Sequence, residues 1–299
     1  MTSSASRNCF FYFLYIPRMN KTLPIDTKKN KGVLFMAVNI VTRTVCLLIL
    51  LVMFCPNAIC DAANKDVAII IDDFGGNVKG VDAFLNGDIP VTVAIMPNMP
   101  YSTEQAIAAH ENGLEVIIHL PLEPKNGKAS WLGSNGITVD LSNDEINKRL
   151  REAYEQIPYA VGLNNHMGSK AMEDKRVVGL IVEFAKTNGL YLVDSKTTPH
   201  SVMPELALKA QIPCFENKLF LDDTFSNTQQ VQGKMQTFAA KGNMHQHPIA
   251  IGHVGVKGEQ TYAGIKAGLP HLKKQGYKLV FPSAWTNSQT RTHFTKKEW

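Results

Sequence analysis

Six short stretches of this sequence end on residues that bind metals or move protons. They are "VAIIIDDFGG" with Asp72 and Asp73, "IIHLPLEP" with His119, "GLNNHMGS" with Asn164, Asn165 and His166, "LVDSKTT" with Asp194, "FLDDT" with Asp222 and Asp223, and "AIGHVG" with His253. Taken singly, each has a purely structural explanation, since Asp caps helices and Asn and Asp form turns. Carboxylates, imidazoles and amides gathered at one place point instead to a divalent metal, to general acid–base chemistry, or to both. The acid pair is the sharpest signal. Two bare neighbouring carboxylates raise one another's pKa. A divalent cation ligated by one removes that penalty and leaves the other free to act as a base. Adjacent strand residues point to opposite faces, so Asp72 and Asp73 share a pocket only where the strand stops and the chain turns. Gly75 and Gly76 follow them and supply the freedom for that turn.

Convergence requires that these stretches lie at the same ends of neighbouring strands. Eight apolar runs read as strands: 67–71, 91–96, 114–120, 160–165, 190–194, 218–222, 248–253 and 278–282. They are short, mostly apolar on both faces, and separated by helical patterns, as in a parallel sheet covered by helices. "LSNDEINKRLREAYEQI" opens with Ser142 and Glu145 at capping-box spacing and carries an apolar stripe of Ile146, Leu150, Tyr154 and Ile157. Two further helices end at Gly189 and Gly276, with Pro270 expected to start a new turn within the latter. Eight strands and about seven helices suggest a (β/α) barrel, with an open doubly wound sheet as the alternative; both place function at the carboxyl ends of the strands. Six of the eight strands bring polar groups to that rim, and the opposite ends show nothing comparable.

Composition narrows the class. Residues 1–60 hold seven basic side chains and one acid, which leaves 24 basic and 25 acidic residues beyond them. The body is therefore near neutral and offers no basic field for nucleic acid. Within the first sixty residues, Arg43 precedes the apolar run "VCLLILLVMF" and small residues follow near Ala58 to Cys60. That reads as a signal peptide with cleavage near residue 60 and export to the periplasm or beyond; left uncleaved, it is a membrane anchor. Four of the five cysteines fall there, so an exported mature chain keeps only Cys214 and has no internal disulfide.

The motifs "IIIDDFG", "HLPLEP", "GLNNHMGS", "LVDSKTT", "FLDD" and "IAIGH", in this order over about residues 65–284, resemble the divergent polysaccharide deacetylase family. The resemblance implies an α/β fold, a distorted (β/α) barrel of parallel strands. It would form a single domain over residues 61–285, between an N-terminal extension with signal peptide (1–60) and a polar tail (286–299). Relatives in the wider superfamily remove N-acetyl groups from chitin or peptidoglycan with a metal-activated water, usually on zinc. Carried over, the resemblance makes Asp72 the base, Asp73 and His119 metal ligands, His253 the general acid, and Asp194 the aspartate that orients a catalytic partner. The superfamily's second metal-binding histidine is replaced here by Glu123, so the third ligand is either Glu123 or His166, and imidazole chemistry favours His166. Asn164, Asn165 and Asp222 remain as substrate-binding candidates, and Trp131 as a stacking platform for a sugar. The chain also reads "GSKAM" and "GHVGV" where relatives more often carry a threonine and a proline.

Two functions follow. One is an exported, metal-dependent deacetylase of a cell-envelope or extracellular polysaccharide. The other is an envelope protein that keeps the fold to bind glycan or a partner without turnover. The altered second motif favours the latter; retention of both Asp72 and His253 favours the former, since a binding module needs neither base nor acid.

Overall fold

The structure, a computed structural model, describes residues 65–133 and 135–286. The expected targeting segment, the domain boundary near residue 61 and the tail beyond Thr286 lie outside the described residues. The apolar runs form eight strands: β1 (Asp66–Phe74), β2 (Thr92–Ile95), β3 (Glu115–Leu122), β4 (Ala160–Met167), β5 (Tyr191–Asp194), β6 (Cys214–Phe220), β7 (Ile249–His253) and β8 (Lys278–Leu279). All pairings are parallel, and the order from β1 through β7 returns to β1. A closed seven-stranded barrel results. The eighth strand exists but is not a stave; its two residues pair only with Asp66 and Val67 at the start of β1. The sixth strand begins earlier than its most apolar stretch, because Cys214 to Asn217 alternate between half-buried and buried positions.

Seven α-helices cover the barrel among the described residues: α1 (Val81–Leu85), α2 (Ser102–Glu111), α3 (Asn143–Gln156), α4 (Lys175–Thr187), α5 (Met203–Ala210), α6 (Thr228–Lys241) and α7 (Gly258–Lys274). The Ser142 side chain caps α3 by accepting from the Glu145 amide at 3.2 Å, and α3 buries Ile146, Leu150 and Ala153 against the strands. Pro270 does not open a new turn; it lies within α7. None of these helices is long and apolar enough to cross a membrane.

The strands separate two apolar layers. Val67, Ile69 and Ile71 of β1 pack outward against the helices, while Ala68 and Ile70 face the lumen with Ala94, Ile117, Val193, Ile249 and Ile251. Each fully buried valine or isoleucine among them contributes about 1.5–3 kcal/mol. Alternation then fixes what stands above this plug. After Ile70 the next inward residue is Asp72, after Ile117 it is His119, and after Ile251 it is His253. Below the plug, Glu115 is fully buried and accepts from Tyr191 Oη at 2.6 Å and Thr92 Oγ1 at 3.2 Å. Burial pushes the Glu115 carboxyl up to about 7 against those hydrogen bonds.

Candidate metal centre

The first strand does not stop at its acid pair. On the β7 side, β1 pairs regularly through Asp72 opposite His253. On the β2 side the register shifts between Ile71 and Phe74, one extra residue being accommodated there. Asp73 sits at this bulge with φ of 70°, in the left-handed region that costs a non-glycine residue energy. The bulge, rather than a strand end, turns Asp73 to the pocket that Asp72 already faces. Gly75 follows at φ 114°, where an added Cβ would lie 2.9 Å from the Met96 carbonyl oxygen. Gln105, which the sequence did not single out, clamps the turn: its Oε1 accepts from the Gly75 amide at 2.7 Å and its Nε2 donates to the Gly76 carbonyl at 2.8 Å.

Asp73, His119 and His166 meet at one point. Asp73 Oδ1 lies 3.2 Å from His119 Nε2 and 3.0 Å from His166 Nδ1. The two ring nitrogens are 3.1 Å apart. Asp73 Oδ1 is buried and finds no well-directed hydrogen bond despite these neighbours. Three lone-pair-bearing atoms separated by 3.0–3.2 Å match the edges of a coordination tetrahedron with spokes near ~2.0–2.1 Å, whose edges are ~3.3 Å. The donor set therefore fits a divalent cation of the zinc type. Burial alone would raise Asp73, but its contacts with the two imidazoles override that and hold it well below the usual carboxylate range. Burial likewise opposes charge on His119, and Asp72 and Asp73 outweigh it to raise the imidazole. Asp72 moves the other way. Its desolvation exceeds the attraction of His119 and His253, so its pKa is raised.

Across the mouth, His253 Nδ1 is 2.7 Å from Asp222 Oδ1. Asp222 Oδ2 accepts from the His253 amide at 2.9 Å and from Thr261 Oγ1 at 2.6 Å. Burial works against a charged His253 ring, but the Asp222 carboxylate pushes it up to about 9. The partner of His253 is thus Asp222, not Asp194, and both Asp222 oxygens are engaged within the protein. Strand parity explains the correction. Tyr191 and Val193 take the inward positions of β5. Asp194 follows Leu192 on the outer face, buried, accepting from the Lys196 amide at 2.8 Å.

The asparagines are also engaged within the protein. Asn164 is fully buried; its Oδ1 meets His119 Nδ1 at 2.7 Å and its Nδ2 donates to Asp72 Oδ1 at 2.8 Å. Asn165 Oδ1 accepts from the Ser195 amide at 2.9 Å, and its Nδ2 donates to the Met167 carbonyl at 2.7 Å. Neither is placed to hold a sugar. Glu123 lies apart from the triad: its carboxylate accepts from the Val139 amide at 2.8 Å and pairs with Lys170 Nζ at 2.6 Å. A cleft of about 400 Å³ opens directly on Asp73 and His166, walled by Met96, Met99, Leu132 and Trp131. Trp131 is 55% exposed on that wall.

The sequence model described as divergent polysaccharide deacetylase matches residues 69–286. The YibQ protein of Escherichia coli (strain K12) is 33% identical over 187 residues, 62% of this chain and 58% of that protein, so the chain spans less than two thirds of that relative. A Haemophilus influenzae protein is 28% identical over 227 residues, covering 76% of this chain and 79% of its own. A crystal structure from Agrobacterium tumefaciens C58 superposes with a TM-score of 0.68 over 75% of this chain and 89% of that one, at 17% identity, which bears on fold alone.

Proposed function

Since the chain belongs to the divergent polysaccharide deacetylase family, we propose that it hydrolyses N-acetyl groups of a cell-envelope or extracellular polysaccharide, with a divalent cation, zinc by its donor set, held by Asp73, His119 and His166. The observation that supports this reading is that Asp72 and His253 stand side by side at the rim that also carries the Asp73, His119 and His166 cluster. Asp72 and His253 are direct register partners on β1 and β7, and both face the lumen mouth. The cation would polarise the acetyl carbonyl and lower the pKa of the attacking water. Asp72 takes the proton from that water as the new carbon–oxygen bond forms. Its burial favours this role, because a raised pKa makes a carboxylate a stronger base. His253 gives a proton to the amide nitrogen as the carbon–nitrogen bond breaks. With its pKa pushed up to about 9, the ring holds that proton at neutral pH. Asp222 fixes the ring through Nδ1, which leaves Nε2 as the donating atom. Trp131 offers an aromatic face to a sugar ring beside the ligands. Export directed by the apolar run at residues 45–54 would bring the protein to such a substrate.

Metal analysis tests the cluster. Wild-type protein should bind one zinc per chain, and His166→Ala should lose most of it. Full occupancy in His166→Ala would remove the basis of the reading.

A further inference from the structure

The most constrained polar side chain in the site is one that the proposed chemistry does not use. Asn164 is fully buried on β4, in register with His119 on β3. Its two polar atoms are spent on the site itself, Oδ1 on His119 Nδ1 at 2.7 Å and Nδ2 on Asp72 Oδ1 at 2.8 Å. The orientation of the amide follows from chemistry. A carboxylate only accepts, so the amide must turn its NH2 to Asp72. The carbonyl oxygen is then left facing His119, and an oxygen there requires that Nδ1 carry the hydrogen. With its proton on Nδ1, a neutral His119 has its lone pair on Nε2, the atom that faces Asp73 and His166.

We infer that Asn164 is a positioning residue that fixes the tautomer and ring plane of His119 toward the metal while holding Asp72 beside it, so that ligand and base move as one unit. The inference rests on the metal reading above and extends it to a residue that touches neither metal nor substrate. Histidine ligands commonly donate their second ring N–H to a carboxylate or a carbonyl, and losing that partner typically weakens metal binding by roughly 10–100-fold. Here one side-chain amide serves the ligand and the proposed base together. No other residue type of this size carries both a donor and an acceptor in that fork. Aspartate keeps the acceptor for His119 but deletes the donor to Asp72 and sets a like charge against it. Leucine matches the volume and deletes both.

The test uses that contrast in the intact chain. Zinc affinity is measured by competition with a chromophoric chelator, and the ring-proton position by histidine-selective nitrogen NMR in alkaline, metal-free solution. Wild type and Asn164→Asp should bind zinc within a few-fold of one another and show the proton on His119 Nδ1. Asn164→Leu should bind zinc roughly 10–100-fold more weakly and distribute the proton over both nitrogens. Two results overturn the inference: wild-type zinc affinity in Asn164→Leu, or a wild-type His119 whose proton sits on Nε2. The NMR result decides the matter even if Asn164→Leu fails to fold, because wild type alone answers it. It also decides if the chain releases no acetate from any glycan, so failure of the deacetylase reading is distinguishable from failure of this one.

Discussion

Replacing Asp222 by Asn removes the charge that sets the state of His253 and keeps an oxygen for its Nδ1 hydrogen bond. In the wild type the ring is pushed from its usual 6.5 to about 9. At about 1.36 kcal/mol per tenfold change, that shift corresponds to about 3 kcal/mol. The side chain is 33% exposed, so solvent screening lowers the expected contribution to roughly 2 kcal/mol. Because the folded pKa is the higher one, this stabilisation is complete below pH 6.5 and is lost as the pH rises through about 9. In Asp222→Asn, burial still opposes charge and only the Asp72 and Asp73 carboxylates offset it, so the ring should titrate well below 9. A proton NMR titration of the His253 ring reads both midpoints directly. The alkaline limb of any hydrolysis by the protein should move down with it. An Asp222→Asn midpoint that stays near 9 would refute the assignment of Asp222 as the orienting group and of His253 as the acid.

Three further outcomes are expected. Glu115→Gln should remove a pH dependence at the closed end of the barrel. The wild-type carboxyl, raised from 4.5 to about 7, contributes stability below pH 4.5 that is lost as the pH rises through 7, worth roughly 3 kcal/mol, so urea midpoints of variant and wild type should diverge from pH 5 to pH 8 in favour of the variant. Gly162→Ala would place a Cβ 2.6 Å from the Tyr191 ring and should cost about 1–3 kcal/mol in thermal unfolding, and a wild-type melting curve would show that the lumen packing is misjudged. Glu123→Ala should leave zinc occupancy unchanged by elemental analysis, since its carboxylate serves Val139 and Lys170; loss of the metal would make Glu123 the third ligand after all.

Strand positions and the rim were legible in the sequence because the apolar runs are nearly continuous and each ends on a polar group. What was not legible was which way those groups face. Asp72, His119 and His253 continue inward rows that simple alternation describes, so their convergence follows from counting. Asp73 reaches the same pocket only through a one-residue bulge, and bulges leave no trace in an alternation pattern. Asp194 lies at a strand end like the others, but its parity sends it to the helix side, and Asp222 takes the part that resemblance assigned to it. Asn164 and Asn165, at the end of the fourth apolar run, read as substrate-binding candidates because they fall on the same rim as the acids and histidines. The structure buries both, which local sequence does not encode. Gln105 and Thr261 sit within helices whose polar residues look like solvent-facing ones; only their long-range partners, Gly75, Gly76 and Asp222, show otherwise. Glu115 did leave a signal, a lone acid near the start of the apolar run "LEVIIHL".

The central claim is that Asp72 and His253 perform amide hydrolysis beside a metal held by other residues. Acetate release from peptidoglycan, chitin oligomers and N-acetylated exopolysaccharide, measured on zinc-, cobalt- or nickel-loaded mature protein, tests it most directly. Wild type should release acetate from at least one of them. Asp72→Asn and His253→Ala should retain stoichiometric metal and lose ~10²–10⁴-fold of that rate each. A metal-loaded wild type no faster than these two variants on every substrate would contradict the claim and leave the same rim as a glycan- or partner-binding surface.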